Sequence, residues 1–298
     1  MKNTLIAEPN TNGLSLDDIL QEMKQFIDER LVRSDVHEAI MQAHPGSNFI
    51  SAPGHKLRSP IGRYASLRFL TPEEMMESAT ILLCCATRFE GDMIRSMFKK
   101  HHNIDMTDCD VRQHTMAFTP NFNRIVAIGE ASDRGHDPMY GMTKSLVNKL
   151  PGLNMAFKTG SCAAAMDMGT IVVSARGQDG LVCRDPCAEE DWKVAPGFPS
   201  EAMIQASHQC QKEGLVTRRS PVQTGAKYIT EPAAFPYEWE FGAFLSALSR
   251  SGFIRAGNEV GQASVVVHNF GIPDLASLSA PDALGNLIMF WKIFFETL

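Results

Sequence analysis

Residues 15–27 and 71–100 carry apolar side chains every three or four positions, which is the period of an amphipathic α-helix. The first run begins with a serine and the second with a threonine followed by proline, residue types that favour helix starts. A Gly/Pro/Ser-rich passage between the two runs is typical of a loop. The pattern therefore predicts a disordered N-terminus over residues 1–13 and a helical region over residues 14–113.

From residue 114 onward the pattern changes to short apolar runs separated by turns and helices. Strands are predicted at residues 125–128, 181–183 and 263–268. Helices are predicted at residues 137–150, 162–175, 201–213 and 281–298, although residues 171–173 would also suit a strand. This alternation predicts an α/β fold, a mixed sheet flanked by helices over residues 114–298, that ends in an amphipathic helix.

The composition is that of an ordinary globular protein. The net charge and its distribution exclude some classes of binding partner. The 298 residues carry a net charge of −6 with acidic and basic residues interspersed, which leaves no broad basic face for duplex nucleic acid or an anionic membrane. No apolar run reaches the roughly 18 residues that a transmembrane helix needs. The expected partners are small molecules, single-stranded nucleic acid or proteins.

The cysteine count and the N-terminus bear on localisation. Seven cysteines, an odd number, fit free thiols in a reducing compartment better than a disulfide framework. The first 15 residues lack the apolar core of a Sec signal peptide. The sequence therefore predicts a cytoplasmic protein. Its polar N-terminus is also compatible with export by a non-Sec system.

One stretch of the chain concentrates the candidate chemistry. A Gly-Ser pair delivers Cys162 to the predicted first turn of a helix, and Cys183 and Cys187 follow shortly afterwards. The free backbone N–H groups and the dipole at a helix start favour the thiolate form of a cysteine. Reactive thiols and metal-binding thiols are commonly made in this way.

The segment 160–192 resembles the zinc-dependent nucleobase and nucleoside deaminases. In that superfamily one helix begins with His or Cys followed two positions later by Glu, and a second helix begins with Pro-Cys and a further Cys. The resemblance implies that Cys162, Cys187 and Cys183 hold a zinc ion. It also implies a hydrolase for a base, nucleoside or related amine, with Ala164 in the place of the proton-shuttling glutamate and therefore little or no activity.

Two other interpretations stay open. In the first, Cys162 is the nucleophile of a cysteine hydrolase or deamidase that acts on a protein, with His268 as its base and Asn269 or Asp274 as the orienting group. In the second, the cysteines are ordinary core residues, and the chain is a non-catalytic interaction protein whose aromatic final helix docks a partner. Metal content distinguishes the deaminase from both alternatives, since only the deaminase needs zinc.

Two polar segments are weaker candidates. Residues 133–137 follow a predicted strand, at a position where α/β proteins place functional loops, and so form a candidate substrate loop. The adjacent Arg218 and Arg219 could meet an anionic group, although a solvated pair of basic residues has the same pattern.

Overall fold

The computed structural model describes residues 72–98, 101–104, 109–119, 124–186, 190–225, 235–269 and 280–298. The chain divides into two compact units, one formed by Met1–Met75 with Phe122–Arg124 and the other by Met76–Asn121 with Ile125–Leu298. Most of the first unit lies outside the described residues, together with the predicted N-terminus and the predicted helix over residues 15–27. Both β-sheets belong to the second unit.

Within these ranges the chain forms six α-helices and eleven strands. The helices are α1 (Pro72–Ser78), α2 (Arg88–Arg95), α3 (His136–Lys149), α4 (Glu201–Lys212), α5 (Phe241–Arg250) and α6 (Ala280–Thr297). The strands are β1 (Ile81–Cys85), β2 (His101–Ile104), β3 (Val111–Phe118), β4 (Ile125–Ala131), β5 (Met155–Ala164), β6 (Ile171–Ser174), β7 (Leu181–Asp185), β8 (Glu190–Lys193), β9 (Thr217–Ser220), β10 (Val222–Gln223) and β11 (Glu259–Asn269).

Eight strands form the main sheet in the order β2-β3-β4-β1-β5-β11-β6-β9, and β10-β7-β8 form a smaller sheet. The four central strands β4, β1, β5 and β11 run parallel, with Ile81 opposite both Val126 and Met155. Strand β3 runs antiparallel to β4, and β6 runs antiparallel to β11. The prediction of an α/β fold with a mixed sheet flanked by helices is confirmed.

Two helices pack closely against the central strands because each contacts a strand position that is occupied by glycine. A Cβ atom at Gly129 of β4 would lie 2.3 Å from Leu146 of α3, and one at Gly261 of β11 would lie 2.5 Å from Met203 of α4. Strand β1 is apolar and buried at every position, as expected of a parallel strand covered on both faces. Glycine at the two contact points therefore sets the spacing between helices and sheet.

The final helix α6 supplies the aromatic part of the core. Its Trp291 and Phe294 pack on Phe157 of β5, with ring centroids 5.9 and 5.0 Å apart. The indole N–H of Trp291 donates to the Thr159 hydroxyl at 2.7 Å, so the buried polar edge of the ring is satisfied. The stripe predicted from the sequence, Leu287, Ile288, Trp291, Phe294 and Phe295, is buried except for Ile288, which is half-buried.

The continuous helix predicted over residues 71–100 is wrong. The chain instead forms α1, then β1 in the middle of the predicted helix, then α2. The apolar run Ile81–Cys85 fits a helix face or a buried strand equally well by periodicity, and its position between β4 and β5 decides for the strand. The described part of the predicted helical region 14–113 thus contains β1, β2 and part of β3 as well as helices.

The helix predicted over residues 162–175 is also wrong. Strand β5 continues through Cys162 to Ala164, and β6 follows at Ile171–Ser174. Hydrogen bonding to β11 satisfies the backbone of this stretch, so small side chains that would suit a helix stay extended. The helices predicted at residues 137–150, 201–213 and 281–298 are confirmed as α3, α4 and α6.

Within the described ranges, none of the helices combines the length and apolar character that crossing a membrane requires.

Replacing Trp291 tests whether α6 is part of the core. Phenylalanine keeps an aromatic ring but removes the N–H group that binds Thr159, and it leaves a small void. We expect W291F to lower the free energy of unfolding by about 1–3 kcal/mol in urea denaturation followed by circular dichroism. The matched control is K292A, at an exposed position of the same helix, with an expected change below about 0.5 kcal/mol. Equal, small changes in the two variants would contradict the packing described for α6.

Candidate active site

The carboxyl ends of the parallel strands β1, β4, β5 and β11 meet at one edge of the main sheet. Open α/β sheets bind ligands at this edge. Four charged side chains from three segments of the chain are buried in this part of the second unit: Glu90, Lys158, Glu238 and Glu240. We call these four residues the Lys–Glu cluster.

Glu90 is held by the turn that follows β1. The Thr87 hydroxyl caps α2 by accepting from the Glu90 backbone N–H at 3.2 Å, and Glu90 Oε2 accepts from the backbone N–H of Thr87 at 3.0 Å and of Ala86 at 3.2 Å. The other carboxylate oxygen, Oε1, accepts from the backbone N–H and the hydroxyl of Ser161 at 3.0 and 3.1 Å. One carboxylate therefore ties the end of β1 to β5.

Lys158 lies on β5 with no exposed surface. Its Nζ donates to Glu238 Oε1 at 2.6 Å and to the Thr159 carbonyl at 3.2 Å, and it lies 3.8 Å from Glu240 Oε2. Burying an ammonium group costs several kcal/mol of lost hydration unless the charge is paired. A lysine at this position therefore requires carboxylates beside it.

The side chains of Glu90 and Lys158 both lie close to Gly160. A Cβ atom at this position would lie 2.8 Å from Glu90 Oε1 and 3.2 Å from Lys158 Nζ. Any larger residue would therefore have to displace one of these charged groups. The short distances also show that Glu90 belongs with Lys158 in one cluster.

Main-chain hydrogen bonds position the segment 236–240, which carries the other two glutamates. The backbone N–H of Tyr237 donates to the Ala163 carbonyl at 2.7 Å, and the Tyr237 carbonyl accepts from Ala163 at 2.9 Å, at the end of β5. On the other side, Gln223 of β10 donates to the Pro236 carbonyl at 2.8 Å and accepts from the Glu238 N–H at 2.9 Å. The segment is thus clamped between the two sheets.

Glu240 ends this segment at the start of α5 and reaches the loop before α3. The backbone N–H of Gly135 donates to Glu240 Oε1 at 3.3 Å. Gly135 has a φ angle of 113°, a conformation that favours glycine. The candidate substrate loop over residues 133–137 therefore lies beside the Lys–Glu cluster. Glu240 and Glu90 keep 6% and 5% of their surface exposed, against 1% for Glu238.

The cluster holds more negative than positive charge. Burial alone would lower the pKa of the Lys158 ammonium, but the carboxylates of Glu238, Glu240 and Glu90 outweigh it and raise this pKa above its usual range. Burial raises the pKa of Glu238 to about 8, against the attraction of Lys158. Three carboxyl groups therefore lie around one ammonium group, so acidic side chains outnumber basic ones in the cluster.

The structure does not place Cys162 as the sequence predicted. Cys162 lies inside β5 opposite Val266 of β11, rather than at a helix start. Burial, and then the Glu238 carboxylate, raise the pKa of its thiol above the usual range, which is the reverse of what a nucleophile needs. Its predicted partner His268 lies on β11 with an exposed side chain, and Asp274 lies outside the described residues.

The other residues of the predicted zinc site do not form a metal centre in the described part of the chain. Cys183 is buried in β7, where burial raises the pKa of its thiol, and Cys187 lies outside the described residues. Ala164 is the last residue of β5 and so does not stand near the start of a helix. Among the described residues, no three His, Cys, Asp or Glu side chains are grouped to hold a metal. The full zinc ligand set stays untested.

Sequence reasoning missed the members of the Lys–Glu cluster, although each left a signal. Glu90 stands three residues after Thr87, as in a capping box, directly after an apolar run. Lys158 is a single charged residue that interrupts the apolar stretch before Gly160. Glu238 and Glu240 directly precede the apolar helix α5. A charged residue inside a buried strand was the strongest of these signals.

The chain matches no protein-family model, and no curated protein matches its sequence. Solved structures, however, share its fold. Futalosine hydrolase of Helicobacter pylori is 11% identical with a TM-score of 0.53, and the match covers 74% of this chain and 99% of that protein. Methylthioadenosine/S-adenosylhomocysteine nucleosidase of Neisseria meningitidis, in complex with methylthio-immucillin-A, is 13% identical with a TM-score of 0.54 and the same coverage.

Purine nucleoside phosphorylase of Toxoplasma gondii, in complex with immucillin-H, is 11% identical with a TM-score of 0.53, and the match covers 74% of this chain and 92% of that protein. The bound molecules in these structures are nucleoside-like. The resemblance to zinc deaminases was therefore wrong, as was the cysteine-hydrolase alternative, because both required a helix that begins at Cys162. The described part of the chain has the fold of the nucleosidases and nucleoside phosphorylases.

Proposed function

We propose that this chain hydrolyses the N-glycosidic bond of a nucleoside. The observation that carries the proposal is the excess of buried carboxylates in the Lys–Glu cluster, near the sheet edge where this fold class binds ligands. Proteins of the same fold are named as a hydrolase and a nucleosidase, and the nucleosidase is in complex with a nucleoside-like molecule, which supports the choice of substrate class.

A fixed anionic site stabilises the transition state of glycosidic bond cleavage. As the bond between C1′ and the base nitrogen breaks, positive charge develops on the sugar ring in an oxocarbenium-like transition state. Carboxylates that are already oriented and shielded from water stabilise that charge without reorganising. Glu90 and Glu240, held by the backbone N–H groups of Ser161 and Gly135, are oriented in this way.

Water is the nucleophile that this electrostatic field favours. Phosphate is an anion, and the carboxylates of Glu238 and Glu240 already use the charge of Lys158. Water carries no charge and gives up a proton when it attacks C1′. That proton passes to the departing base nitrogen: the water oxygen forms the new bond to C1′ as the bond from C1′ to the base nitrogen breaks, and the sugar and the free base are released.

We assign the orientation of the substrate to polar side chains that keep some exposed surface. Glu240 has the largest exposed fraction in the cluster, and its carboxylate accepts hydrogen bonds, so we assign it to the sugar hydroxyls. His268 and Asn269 close β11 opposite Ala163 and Ala164, at the same edge of the sheet. They offer polar groups to the nucleobase.

The direct test incubates the full chain with inosine, adenosine, guanosine, uridine and 5′-methylthioadenosine, and measures the free base by liquid chromatography. Each reaction is run with and without inorganic phosphate. We expect release of the base from at least one nucleoside in phosphate-free buffer. Release that depends on phosphate would make the chain a phosphorylase and overturn the assignment of water. No release from any nucleoside would overturn the proposed function.

Glu240→Gln tests the catalytic assignment. Glutamine keeps the size of the side chain but removes the charge that stabilises the transition state. We expect base release to fall by about 10²-fold or more in protein that circular dichroism shows to be folded. The control, E213Q, replaces an exposed glutamate after α4 and should keep full activity. Equal activity in the two variants would exclude Glu240 from the site.

The raised pKa of Glu238 predicts how stability depends on pH. In the unfolded chain Glu238 loses its proton near its usual pKa of about 4.3. In the folded chain its pKa is about 8, so the folded state retains a proton that the unfolded state has released. The contribution of Glu238 to the free energy of unfolding is therefore present at low pH and is lost as the pH rises from about 5 to 8.

Urea denaturation at several pH values measures this effect. The Glu238 contribution approaches about 1.4 kcal/mol per pH unit within the window, and E238Q should remove it from the overall slope. The exposed Glu296 provides the control E296Q, whose slope should match the wild type. A slope that E238Q leaves unchanged would show that Glu238 ionises in the folded state as it does in the unfolded chain.

A further inference from the structure

A cleft lies beside the edge strand β9 of the main sheet. Its volume is about 710 Å³, and its lining includes Arg176, Arg218, Arg219 and Glu201. Strand β6 runs antiparallel to β11, and β9 runs parallel to β6. The carboxyl ends of β6 and β9 therefore point away from the edge of the sheet where β5 and β11 end, so this cleft is separate from the candidate active site.

The sheet register brings the three arginines together. Arg218 and Arg219 lie on β9 opposite Val172 and Val173 of β6. Beyond β6, the Ala175 N–H donates to the Ser220 carbonyl at 3.0 Å, so Arg176 follows immediately past the paired ends of these strands. All three arginines belong to the lining of one cleft.

These arginines carry charge that the described part of the protein does not neutralise. Each is exposed, and within the described ranges none of the three guanidinium groups makes an ion pair or a hydrogen bond. Elsewhere Arg95 pairs with Glu130 at 2.8 Å, and Arg184 pairs with Asp191 at 3.3 Å.

Glu201 is the acidic residue of the cleft lining, which leaves an excess of two positive charges in a chain of net charge −6.

We infer that this cleft binds a small molecule that carries two or more phosphate groups, such as a nucleoside diphosphate or triphosphate. The guanidinium fork matches the geometry of phosphate oxygens and binds them in pairs. The volume falls within the range of roughly 300–1,000 Å³ that is typical of small-molecule sites. Ile204 and the exposed Val194 add apolar surface for the body of the ligand.

Edge-strand arginines also have a simpler explanation, since charges on an exposed edge prevent pairing with other chains. That explanation needs the charges but no ligand. It predicts that neutral variants associate through β9, whereas our inference predicts that they lose a specific ligand. The two are separated by measuring binding and oligomeric state on the same variants.

Isothermal titration calorimetry of the full chain with ATP and with pyrophosphate tests the inference. We expect both probes to bind, with affinity that falls as salt is added. R218Q and R219Q should each weaken ATP binding by at least about tenfold, because each removes a bidentate partner of the phosphates. R255Q, at an exposed arginine outside the cleft lining, is the control and should bind as the wild type does.

Three results would overturn the inference. The first is that neither probe binds at millimolar concentration. The second is that R218Q and R219Q bind ATP as R255Q does. The third is that E240Q abolishes ATP binding, which would place the nucleotide at the Lys–Glu cluster.

A measurement on the wild-type chain guards against variants that fail to fold. Phenylglyoxal modifies accessible arginines, and peptide mapping shows which ones react. We expect ATP to protect Arg176, Arg218 and Arg219 while Arg255 reacts as before. Unchanged labelling of all four arginines with ATP present would also contradict the inference.

Discussion

A lysine ammonium on a central β-strand has no access to water, and this constraint organises the candidate site. Lys158 needs carboxylates within a few ångströms, because an unpaired charge at this depth would cost several kcal/mol. Glu238 lies 80 residues further along the chain and is brought to Lys158 by the clamp between the two sheets. The site therefore combines a stability requirement, charge pairing, with an anionic field suited to glycosidic chemistry.

The elements that the sequence predicted correctly are those with strong local signals. Helix α4 begins after Ser200, whose hydroxyl caps it, and α6 carries a wide apolar stripe. Strands β4 and β11 contain β-branched runs bounded by polar residues. Caps, stripes and β-branched runs act over a few neighbouring residues, so they can be recognised without knowledge of the rest of the fold.

The site could not be predicted in the same way because its geometry depends on contacts between distant segments. The Gly-Ser-Cys sequence at residues 160–162 suggested an activated thiol, but that inference needs a helix start, and pairing with β11 keeps the chain extended. The same pairing buries Cys162 and places Gly160 under Glu90 and Lys158. The local pattern correctly marked an important place in the fold but indicated the wrong chemical group.

The clamp on residues 236–240 also has a consequence for how the protein assembles. Tyr237 is hydrogen-bonded to Ala163 of the main sheet, and Gln223 of the smaller sheet is bonded to the residues on either side of it. This junction brings together segments that are far apart in sequence, so its formation closes long loops of the chain. Without the contacts of this segment, the ammonium of Lys158 would lose the carboxyl group of Glu238 that lies 2.6 Å from it. The pairing of Lys158 with these two glutamates thus depends on main-chain contacts at Tyr237 and Gln223 rather than on residues near Lys158 in the sequence.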